Sequence, residues 1–467
     1  MRLPLLTPDS PPTHPYLGTY VETVGGKPTP RRLCYRGQKH LLCFGSPGAN
    51  KTTGIVIPNM MTLNRSIICI DPKGQICAIT RRARAKMGKV IVLNPFGVLV
   101  DLLGDTMRSD GWNPMAQLDP SPSNREFQSD ARKLAEGVIE RTGASKGDFF
   151  EAASENLWRV GCMWERVTNG SNAHLRNVRA LLAQDFDGLK TAFEDMAASG
   201  NYAMRIAGTR FLARINDKTS QNTALQDISE TVMKNTVFLD DDRIAEDMAN
   251  GGAIDFGAMH EDITTVYLIL PVHQLRAQSK WLRMFVNLAL SEFFKRKLKD
   301  EDAQLPPVLF MLDEFGNLGR LPEILNAMNI ARDYRIQLWM FCQHLEQLER
   351  IYEKESADFF AGSGAIQTFN ARDRKTADHF AHILGQRVVE MTSASTSGGL
   401  NIKSLSISQN TQTQIFPLIR SEDLWRLGRA ATVNIIEPCP WPVLGFADGY
   451  WNTIAPEAVD PNPYYRG

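Results

Sequence analysis

Short apolar runs that alternate with helix-patterned segments constrain the fold of this chain more than any other sequence feature. Residues 40–44 (HLLCF) lead through a glycine loop into a helical pattern, and residues 66–71 (SIICID) and 89–96 (KVIVLNPF) continue this order. The same alternation returns at 264–272 and 307–315. Buried strands separated by helices are typical of parallel sheets, because parallel strands need a crossover connection. The sequence therefore predicts an α/β fold with a mostly parallel, twisted sheet.

The middle of the chain has a different pattern. Apolar residues recur every three or four positions in 127–142, 153–169 and 174–200, with few β-branched runs. This spacing is typical of amphipathic helices. We therefore predict an all-α domain over residues 121–254, inserted between two segments of one α/β domain, residues 1–120 and 255–467.

Two further segments are rich in residues that interrupt regular structure. Residues 1–35 contain many prolines and turn residues and are read as an arm or as short strands. Residues 392–414 (TSASTSGGLNIKSLSISQNTQTQ) are rich in Ser, Thr, Gly and Gln, which indicates a flexible loop or an exposed hairpin.

The charge of the chain is balanced overall but unevenly distributed. Lys and Arg together number 52, as do Asp and Glu. Residues 1–120 hold 15 basic and 7 acidic residues, a net +8, whereas residues 121–260 hold 16 and 21, a net −5. Nucleic acid binding would therefore require basic residues to cluster, which the first third allows. The densest basic run, residues 81–86 (RRARAK), is explained more simply as a solvated helix face.

Cysteine usage and hydropathy indicate the compartment. The seven cysteines lack the paired spacing of a zinc site, and most lie in apolar strings. The N-terminal residues lack the apolar core of a signal peptide, and no run approaches the roughly 18 apolar residues of a membrane span. We therefore expect a cytosolic protein.

Residues 45–52 (GSPGANKT) match the phosphate-binding pattern G-x-x-x-x-G-K-[ST] except that Asn50 replaces the second glycine. The loop follows a predicted strand and precedes a helix, so its backbone N–H groups would face an anion. Asparagine adopts positive φ more readily than most residues, although its side chain can crowd a phosphate. The alternative is a strand-to-helix turn without a ligand. The predicted nucleotide-binding residues are Gly45, Gly48, Asn50, Lys51, Thr52 and Thr53, with Lys51 near the β- and γ-phosphates and Thr52 on Mg²⁺.

A pair of acids follows the apolar run 308–312 (VLFML). Asp313 and Glu314 would thus stand at the carboxyl end of a buried strand, where open α/β sheets bind ligands. Phosphoryl transfer needs one acid to hold Mg²⁺, here Asp313, and another to orient or deprotonate the attacking water, here Glu314. The alternative is that both acids cap the next helix. Because the two motifs occur in order on strands that we expect to be adjacent, an NTPase is the better interpretation.

Two further side chains are catalytic candidates. Arg332, in the segment ARDYR that also contains Arg335, would stabilise transition-state charge at a neighbouring subunit's site, although a cation at a helix C-terminus explains it equally well. Gln343 ends the strand pattern LWMFCQ, where an amide could contact both water and the γ-phosphate. Its alternative is a surface glutamine.

These strings in this order resemble the type IV secretion coupling proteins, the TraG/TraD-like ATPases of conjugation. The resemblance spans roughly residues 30–450 and depends most on IPN (57–59), DPKG (71–74) and LDEFGNLG (312–319). It implies a RecA-like domain that binds ATP and Mg²⁺, an all-α domain, and hexamers with a central DNA channel. Lys51 and Thr52 match the phosphate-loop pair, Asp313 and Glu314 the acids, Arg332 the trans-acting arginine and Gln343 the sensor. Asp71 and Lys73 of DPKG would lie near the nucleotide.

The resemblance also implies the function. Members recruit a relaxase–DNA complex, or protein effectors, to a secretion channel and drive export by ATP hydrolysis. Two departures matter: Asn50 replaces the usual glycine, which affects the expected rate of hydrolysis, and the N-terminal transmembrane helices of most members are missing. We expect a soluble member at the inner face of the bacterial inner membrane, docked through partners, or else the product of a shortened gene. The alternatives are an ATPase-inactive substrate receptor and a soluble DNA translocase of chromosome processing.

Overall fold

A computed structural model of the chain describes residues 13–139, 148–216, 221–295, 305–397 and 406–464. Two sheets organise it, one of 11 strands and one of two. The strands in chain order are β1 (Tyr16–Val24), β2 (Lys27–Cys34), β3 (His40–Phe44), β4 (Ile67–Ile70), β5 (Lys89–Leu93), β6 (Thr264–Leu268), β7 (Val308–Leu312), β8 (Ile336–Cys342), β9 (Ser363–Thr368), β10 (Gln386–Ser397), β11 (Ser406–Pro417), β12 (Ala431–Ile436) and β13 (Val443–Phe446).

The large sheet has the order β2-β1-β13-β12-β9-β3-β8-β7-β4-β6-β5. Its seven strands from β9 to β5 are parallel to one another, whereas β12, β13, β1 and β2 extend it in antiparallel fashion. This confirms the predicted mostly parallel α/β class. One detail of the prediction is wrong: β3 and β7, which precede the two phosphate-binding motifs, are not adjacent, because β8 lies between them.

Helices connect the strands and fill the middle of the chain. They are α1 (Ile57–Thr62), which continues a π-helical turn over Lys51–Val56, α2 (Gln75–Met87), α3 (Val100–Leu103), α4 (Phe127–Val138), α5 (Asp148–Asn169), α6 (Leu175–Leu182), α7 (Phe186–Ala198), α8 (Tyr202–Asn216), α9 (Gln221–Asn235), α10 (Asp242–Asn250), α11 (Ser279–Lys295), α12 (Pro322–Ile330), α13 (Leu345–Tyr352), α14 (Ser356–Ala361), α15 (Arg374–Ile383), α16 (Ser421–Trp425) and α17 (Tyr450–Thr453). Among these described helices, none combines the length and the apolar character that crossing a bilayer requires.

The sheet separates two hydrophobic cores because successive strand side chains point to opposite faces. On β3, Leu41 and Cys43 face a core that includes Ile55 of the π-helical turn, whereas Leu42 and Phe44 face the other core. The core that contains Leu42 and Phe44 continues without interruption into the helices between α4 and α11. The parallel strands at the centre of the sheet are therefore buried on both faces, which explains why β4 and β7 read as continuous apolar runs.

The central segment is helical as predicted, since α4 to α10 follow one another with no strand among its described residues. The central segment contacts the α/β part of the chain where its helix α4 packs on α11. Asn287 donates a hydrogen bond to the Lys133 carbonyl at 2.8 Å, and a Cβ on Gly137 would stand 2.8 Å from Met284 Cα. The two helices therefore pack backbone to backbone. The domain boundaries at residues 120 and 254 stay predictions.

Two alternatives each were predicted for residues 1–35 and 392–414. In both segments most of the described residues form strands. β1 and β2 occupy most of residues 16–34, while residues 1–12 lie outside the described part of the chain. β10 and β11 pair in antiparallel register from Gln386↔Pro417 to Ser397↔Ser406, as in a hairpin, while residues 398–405 lie outside the described part of the chain.

The basic run 81–86 lies in the second half of α2. Arg82 and Lys86 are exposed, as expected for a solvated face. Arg84 is an exception, because it is fully buried and donates hydrogen bonds to the carbonyls of Leu63 and Arg65. Arg84 therefore holds the turn that precedes β4.

Both outer edges of the large sheet carry features that hinder pairing with another strand. On β5, the backbone N–H of Val92 donates to the Asp110 carboxylate at 2.7 Å, and its carbonyl accepts from the Asp110 N–H at 2.7 Å. At the opposite end, β2 contains Pro28 and Pro30, which have no N–H to offer another strand.

Candidate nucleotide-binding site

Four polar segments meet at the carboxyl-terminal edge of the parallel strands. Residues 45–52 follow β3, Asp71 follows β4, Asp313 and Glu314 follow β7, and Gln343 follows β8. These four strands are parallel neighbours, so their carboxyl ends open on the same side of the sheet. The predicted loop, acid pair and sensor are thus brought together.

The glycine loop is shaped to hold the lysine. The Gly45 N–H donates to the Cys342 carbonyl at 3.1 Å, and a Cβ on Gly45 would stand 3.2 Å from Lys51 Cγ and 3.1 Å from Phe369 Cβ. The buried Lys51 ammonium donates hydrogen bonds to the carbonyls of Gly45 and Ser46. Glycine at position 45 therefore makes room for the Lys51 side chain.

Asn50 does not have the conformation that its substitution for glycine suggested. Its φ is −68°, an ordinary value for any residue, and the residue with positive φ in the loop is Gly48, at 77°. The expected positive φ at Asn50 is therefore wrong, and tolerance of positive φ does not explain asparagine here. Asn50 instead begins the helical turn: its carbonyl accepts from the Gly54 N–H at 2.7 Å, and its own N–H donates to the Arg429 carbonyl at 3.3 Å.

Thr52 and Asp313 form the contact on which a metal site would depend. The Thr52 hydroxyl donates to Asp313 Oδ2 at 3.2 Å, whereas the buried Asp313 Oδ1 has no hydrogen-bond partner among the described residues. Burial, and then the neighbouring Glu314 carboxylate, raise the pKa of Asp313 to about 6. A hydroxyl beside a carboxylate with an unused oxygen is an oxygen donor set that suits Mg²⁺. These residues therefore fit the metal that the phosphate loop implies. Thr53, half-buried, lies in the same turn.

A hydrogen-bonded network positions Glu314. Gln343 Nε2 donates to Glu314 Oε2 at 2.8 Å, and Asn317 Nδ2 donates to the same oxygen at 3.1 Å. Gln347 connects both donors, because its Oε1 accepts from the Gln343 N–H at 3.2 Å and its Nε2 donates to Asn317 Oδ1 at 3.1 Å. The Glu314 carboxylate is therefore fixed from two sides.

Sequence reasoning missed the supporting residues of this network, Asn317 and Gln347. A Cβ on Gly316 would stand 2.0 Å from Gln347 Cδ, so only glycine at 316 admits that side chain. The signals available were Gly316 directly after the acid pair and the spacing of four between Gln343 and Gln347. Glu314 itself has a φ of 56°, an uncommon value that such local contacts can maintain.

Asp71 lies at the same edge but is occupied within its own turn. It is buried, and its Oδ2 accepts from the Cys77 N–H of α2 at 2.8 Å. Burial raises its pKa to about 7, and the Asp313 charge adds to that shift. Lys73 is exposed, and its carbonyl accepts from the Tyr464 hydroxyl at 2.6 Å. Asp71 thus fixes the start of α2 beside the acid pair.

Arg332 does not join this cluster. It lies in the turn between α12 and β8, at the amino-terminal edge of the sheet, with its side chain 55% exposed. Because β8 has seven residues, roughly 23 Å of strand separate this turn from Gln343. Arg332 and Arg335 instead line an open cavity of about 560 Å³ with Lys39 and Glu437. Arg332 therefore cannot serve the nucleotide site of its own chain.

Comparisons with known proteins identify the family. The family model described as type IV secretory system conjugative DNA transfer matches residues 16–440. The chain is 26% identical over 400 residues to the type IV secretion system-coupling protein VirD4 of Bartonella quintana, which covers 80% of this chain and 57% of that protein. It is 23% identical over 408 residues to the conjugal transfer protein TraG of Rhizobium radiobacter, and this match covers 85% of this chain and 60% of that protein. The chain thus spans less than two thirds of the length of these relatives.

Solved structures show the same fold. The bacterial conjugative coupling protein TrwB matches with a TM-score of 0.63 and 16% identity, over 92% of this chain and 88% of that one. TrwB in complex with ADP and Mg²⁺ matches with a TM-score of 0.61 and 15% identity, over 91% and 88%. The family match covers most of the sequence, and the fold and the order of motifs agree with it. The chain therefore belongs to the type IV secretory system conjugative DNA transfer family.

Proposed function

We propose that this protein is an ATP-dependent coupling protein that recruits DNA, as a relaxase nucleoprotein, or effector proteins and drives them into a type IV secretion channel. The observation that carries the proposal is the contact of Thr52 with Asp313 beside the Lys51 loop, with Asp313 Oδ1 unused. Family membership supports coupling over chromosome processing by a DNA translocase.

The residues divide the work of hydrolysis. Lys51 would exchange its bonds to loop carbonyls for phosphate oxygens, and Thr52 and Asp313 would hold Mg²⁺, which neutralises charge on the phosphates. Glu314, fixed by Gln343 and Asn317, would orient or deprotonate the attacking water. Gln343 would report whether the γ-phosphate is present, since it contacts the catalytic carboxylate directly. TrwB has been solved with ADP and Mg²⁺ and with an ATP analogue, which supports the same ligands here.

Arg332 would complete the site of a neighbouring subunit. Its exposed position at the opposite edge of the sheet supports a role in trans. A closed ring, as in a homo-hexamer, would give every site such a neighbour. Such a ring would work at the inner face of the bacterial inner membrane, docked on channel proteins, with DNA passing through its centre.

The test is an ATPase assay, with and without single-stranded DNA, on the native chain, Lys51→Ala and Glu314→Gln. We expect Lys51→Ala to abolish hydrolysis and weaken binding of the ATP analogue ADPNP with Mg²⁺. Glu314→Gln should lower the hydrolysis rate at least a hundredfold while ADPNP still binds. Lys86→Ala, which removes an exposed charge on α2, is the control and should leave both unchanged. A native chain that binds no ADPNP at millimolar concentration would refute the proposal.

One observation favours a receptor without ATPase activity as the second candidate. The Asn50 N–H already donates to the Arg429 carbonyl, and the Lys51 ammonium already bonds two loop carbonyls. A receptor without ATPase activity would hydrolyse no ATP in any oligomeric state, even if it binds ADPNP. The coupling ATPase predicts hydrolysis that Lys51→Ala removes.

A further inference from the structure

A second cavity, of about 150 Å³, lies at the amino-terminal edge of the parallel strands, away from the nucleotide site. Three arginines line it: Arg36 from the β2–β3 connection, Arg65 just before β4, and Arg335 immediately before β8. The five-residue strand β7 runs between Pro307, which lines this cavity, and Asp313. Pro307 and Asp313 are six residues apart along this extended segment, so roughly 20 Å of backbone separate the cavity from the acid pair.

Arg65 is the most informative of these residues. It is 2% exposed, and its Nη2 donates to Gln337 Oε1 at 2.9 Å. Its Nε is buried and has no hydrogen-bond partner among the described residues. Burial, and then the charge of Arg84, lower the pKa of Arg65 to about 9. A buried guanidinium with an unused donor is costly, and an anion in the cavity would offset that cost.

The surroundings of Arg65 reinforce the positive potential. None of the described residues that line this cavity is an aspartate or a glutamate. His14 also lines it, and burial followed by the charges of Arg36 and Arg65 lowers the pKa of His14. The described lining of the cavity therefore carries three arginines and no acidic side chain to neutralise them.

Arg335 supplies an independent observation. Its φ is 54°, a left-handed value that a non-glycine residue seldom adopts, and its N–H donates to the Arg332 carbonyl at 3.1 Å. Glycine would fit this turn with less strain. The presence of arginine instead of glycine is consistent with a use for its side chain.

We propose that this cavity binds a phosphate group through Arg36, Arg65 and Arg335. The planar guanidinium presents its donors as a fork that matches phosphate oxygens, and several arginines around one cavity are suited to a doubly charged oxyanion. The phosphate belongs either to a free phosphate ion or to the backbone of a nucleic acid strand. The proposal goes beyond nucleotide hydrolysis, because the cavity lies at the other edge of the sheet and needs neither Lys51 nor Asp313.

The test titrates inorganic phosphate into the protein by calorimetry at low salt. The Lys51→Ala background removes the phosphate loop from the measurement, and saturation of the native chain with ADPNP and Mg²⁺ is a second way to do so. In either setting we expect inorganic phosphate to bind. Arg36→Gln combined with Arg335→Gly should weaken the phosphate affinity at least tenfold. Arg335→Gly suits the left-handed turn, so the melting temperature should not fall. Arg36→Gln alone, at an exposed position, should weaken binding several-fold.

A matched control removes the same charge elsewhere. Arg31→Gln combined with Arg374→Gln deletes two exposed cations that pair with Glu22 and Asp378. We expect this variant to bind phosphate within twofold of its parent. Equal losses in the control and the cavity variant, or no phosphate binding in either setting, would overturn the proposal.

A single-stranded oligonucleotide distinguishes the two sources of phosphate. If the cavity holds a backbone phosphate, the cavity variant should bind the oligonucleotide more weakly than the control variant does. The slope of log affinity against log salt should then fall by about 1 for each arginine–phosphate pair that the substitutions remove. If the ligand is free phosphate, oligonucleotide binding should be the same in both variants.

Discussion

At the scale of single residues, the candidate site shows which positions depend on backbone geometry and which on side-chain chemistry. Gly48 carries the positive φ of the loop, whereas Asn50 has a φ of −68° and a ψ of 33° and makes no side-chain cap hydrogen bond. Asparagine at position 50 therefore needs no left-handed backbone. We expect its effect on function to come from the side chain, which would lie close to a phosphate held by the loop.

This gives a prediction for Asn50→Gly. Because the Asn50 side chain makes no capping hydrogen bond, we expect the free energy of unfolding to change by less than about 1 kcal/mol. Nucleotide affinity should rise, since the amide no longer crowds the phosphates. Chemical denaturation and ADPNP titration measure the two effects. A large loss of stability with unchanged affinity would show that Asn50 has a structural role instead.

Asp71 gives a prediction about pH. Its pKa is about 7 in the folded chain against about 3.8 in the unfolded chain, so between these values the folded state holds a proton that the unfolded state has lost. Stability therefore falls as pH rises through this window, with a limiting slope of about 1.4 kcal/mol per pH unit. Asp71→Asn keeps an oxygen to accept from the Cys77 N–H and does not titrate.

We expect the free energy of unfolding of Asp71→Asn, relative to the native chain, to increase by about 1 kcal/mol for each pH unit between pH 5 and pH 7. Urea denaturation without Mg²⁺ at several pH values measures this difference. Asp460→Asn, at a half-exposed carboxylate paired with Arg82, is the control and should show a much smaller change. If the free energies of unfolding of Asp71→Asn and the native chain changed with pH in parallel, Asp71 would not have the raised pKa described above.

At the scale of helices and strands, the sequence predicted the parts that depend on local pattern. The apolar run before Asp313 predicts a buried strand, and the structure has one at Val308–Leu312. The insertion of β8 between β3 and β7 could not be predicted, because strand order depends on tertiary packing and not on periodicity. The support of Glu314 by Asn317 and Gln347 was missed for the same reason, since it requires α13 to approach Gly316.

The contact between α4 and α11 gives a prediction at this scale. An alanine at Gly137 would place its Cβ 2.8 Å from Met284 Cα, a backbone atom that cannot rotate away. We expect Gly137→Ala to lower the free energy of unfolding by about 1–3 kcal/mol, although alanine normally favours a helix. Gly161→Ala in α5 is the matched control, since its Cβ would meet only side-chain methyls, the nearest being Val178 Cγ1 at 2.9 Å. Equal changes for the two variants would show that α4 and α11 separate easily.

At the scale of the whole molecule, the sheet places the two halves of the proposed catalytic machinery at opposite edges. Lys51 and Glu314 lie at the carboxyl edge and Arg332 at the amino edge. In the proposed ring, one chain would therefore provide most of one nucleotide site, and its Arg332 would reach the site of the next chain. Activity should consequently depend on assembly.

Mixing two inactive variants tests this arrangement. Lys51→Ala and Arg332→Ala should each abolish hydrolysis alone. In an equimolar mixture, roughly a quarter of the interfaces should pair an intact Lys51 site with an intact Arg332. The mixture should therefore recover up to about that fraction of native activity, whereas a mixture of Lys51→Ala with Glu314→Gln should recover none. Failure of the first mixture to regain activity would place Arg332 outside the catalytic site.

The outer edges of the large sheet have a consequence for how such rings are maintained. Asp110 already occupies the hydrogen-bonding groups of Val92 on β5, and Pro28 and Pro30 interrupt the row of N–H groups on β2. Pairing of either edge with a strand from another chain is therefore unfavourable. Copies of the chain would then adhere through side chains and loops alone. Neighbours joined in that way can detach and exchange partners with their own folds intact, so rings of mixed composition should form within the time of an ordinary incubation.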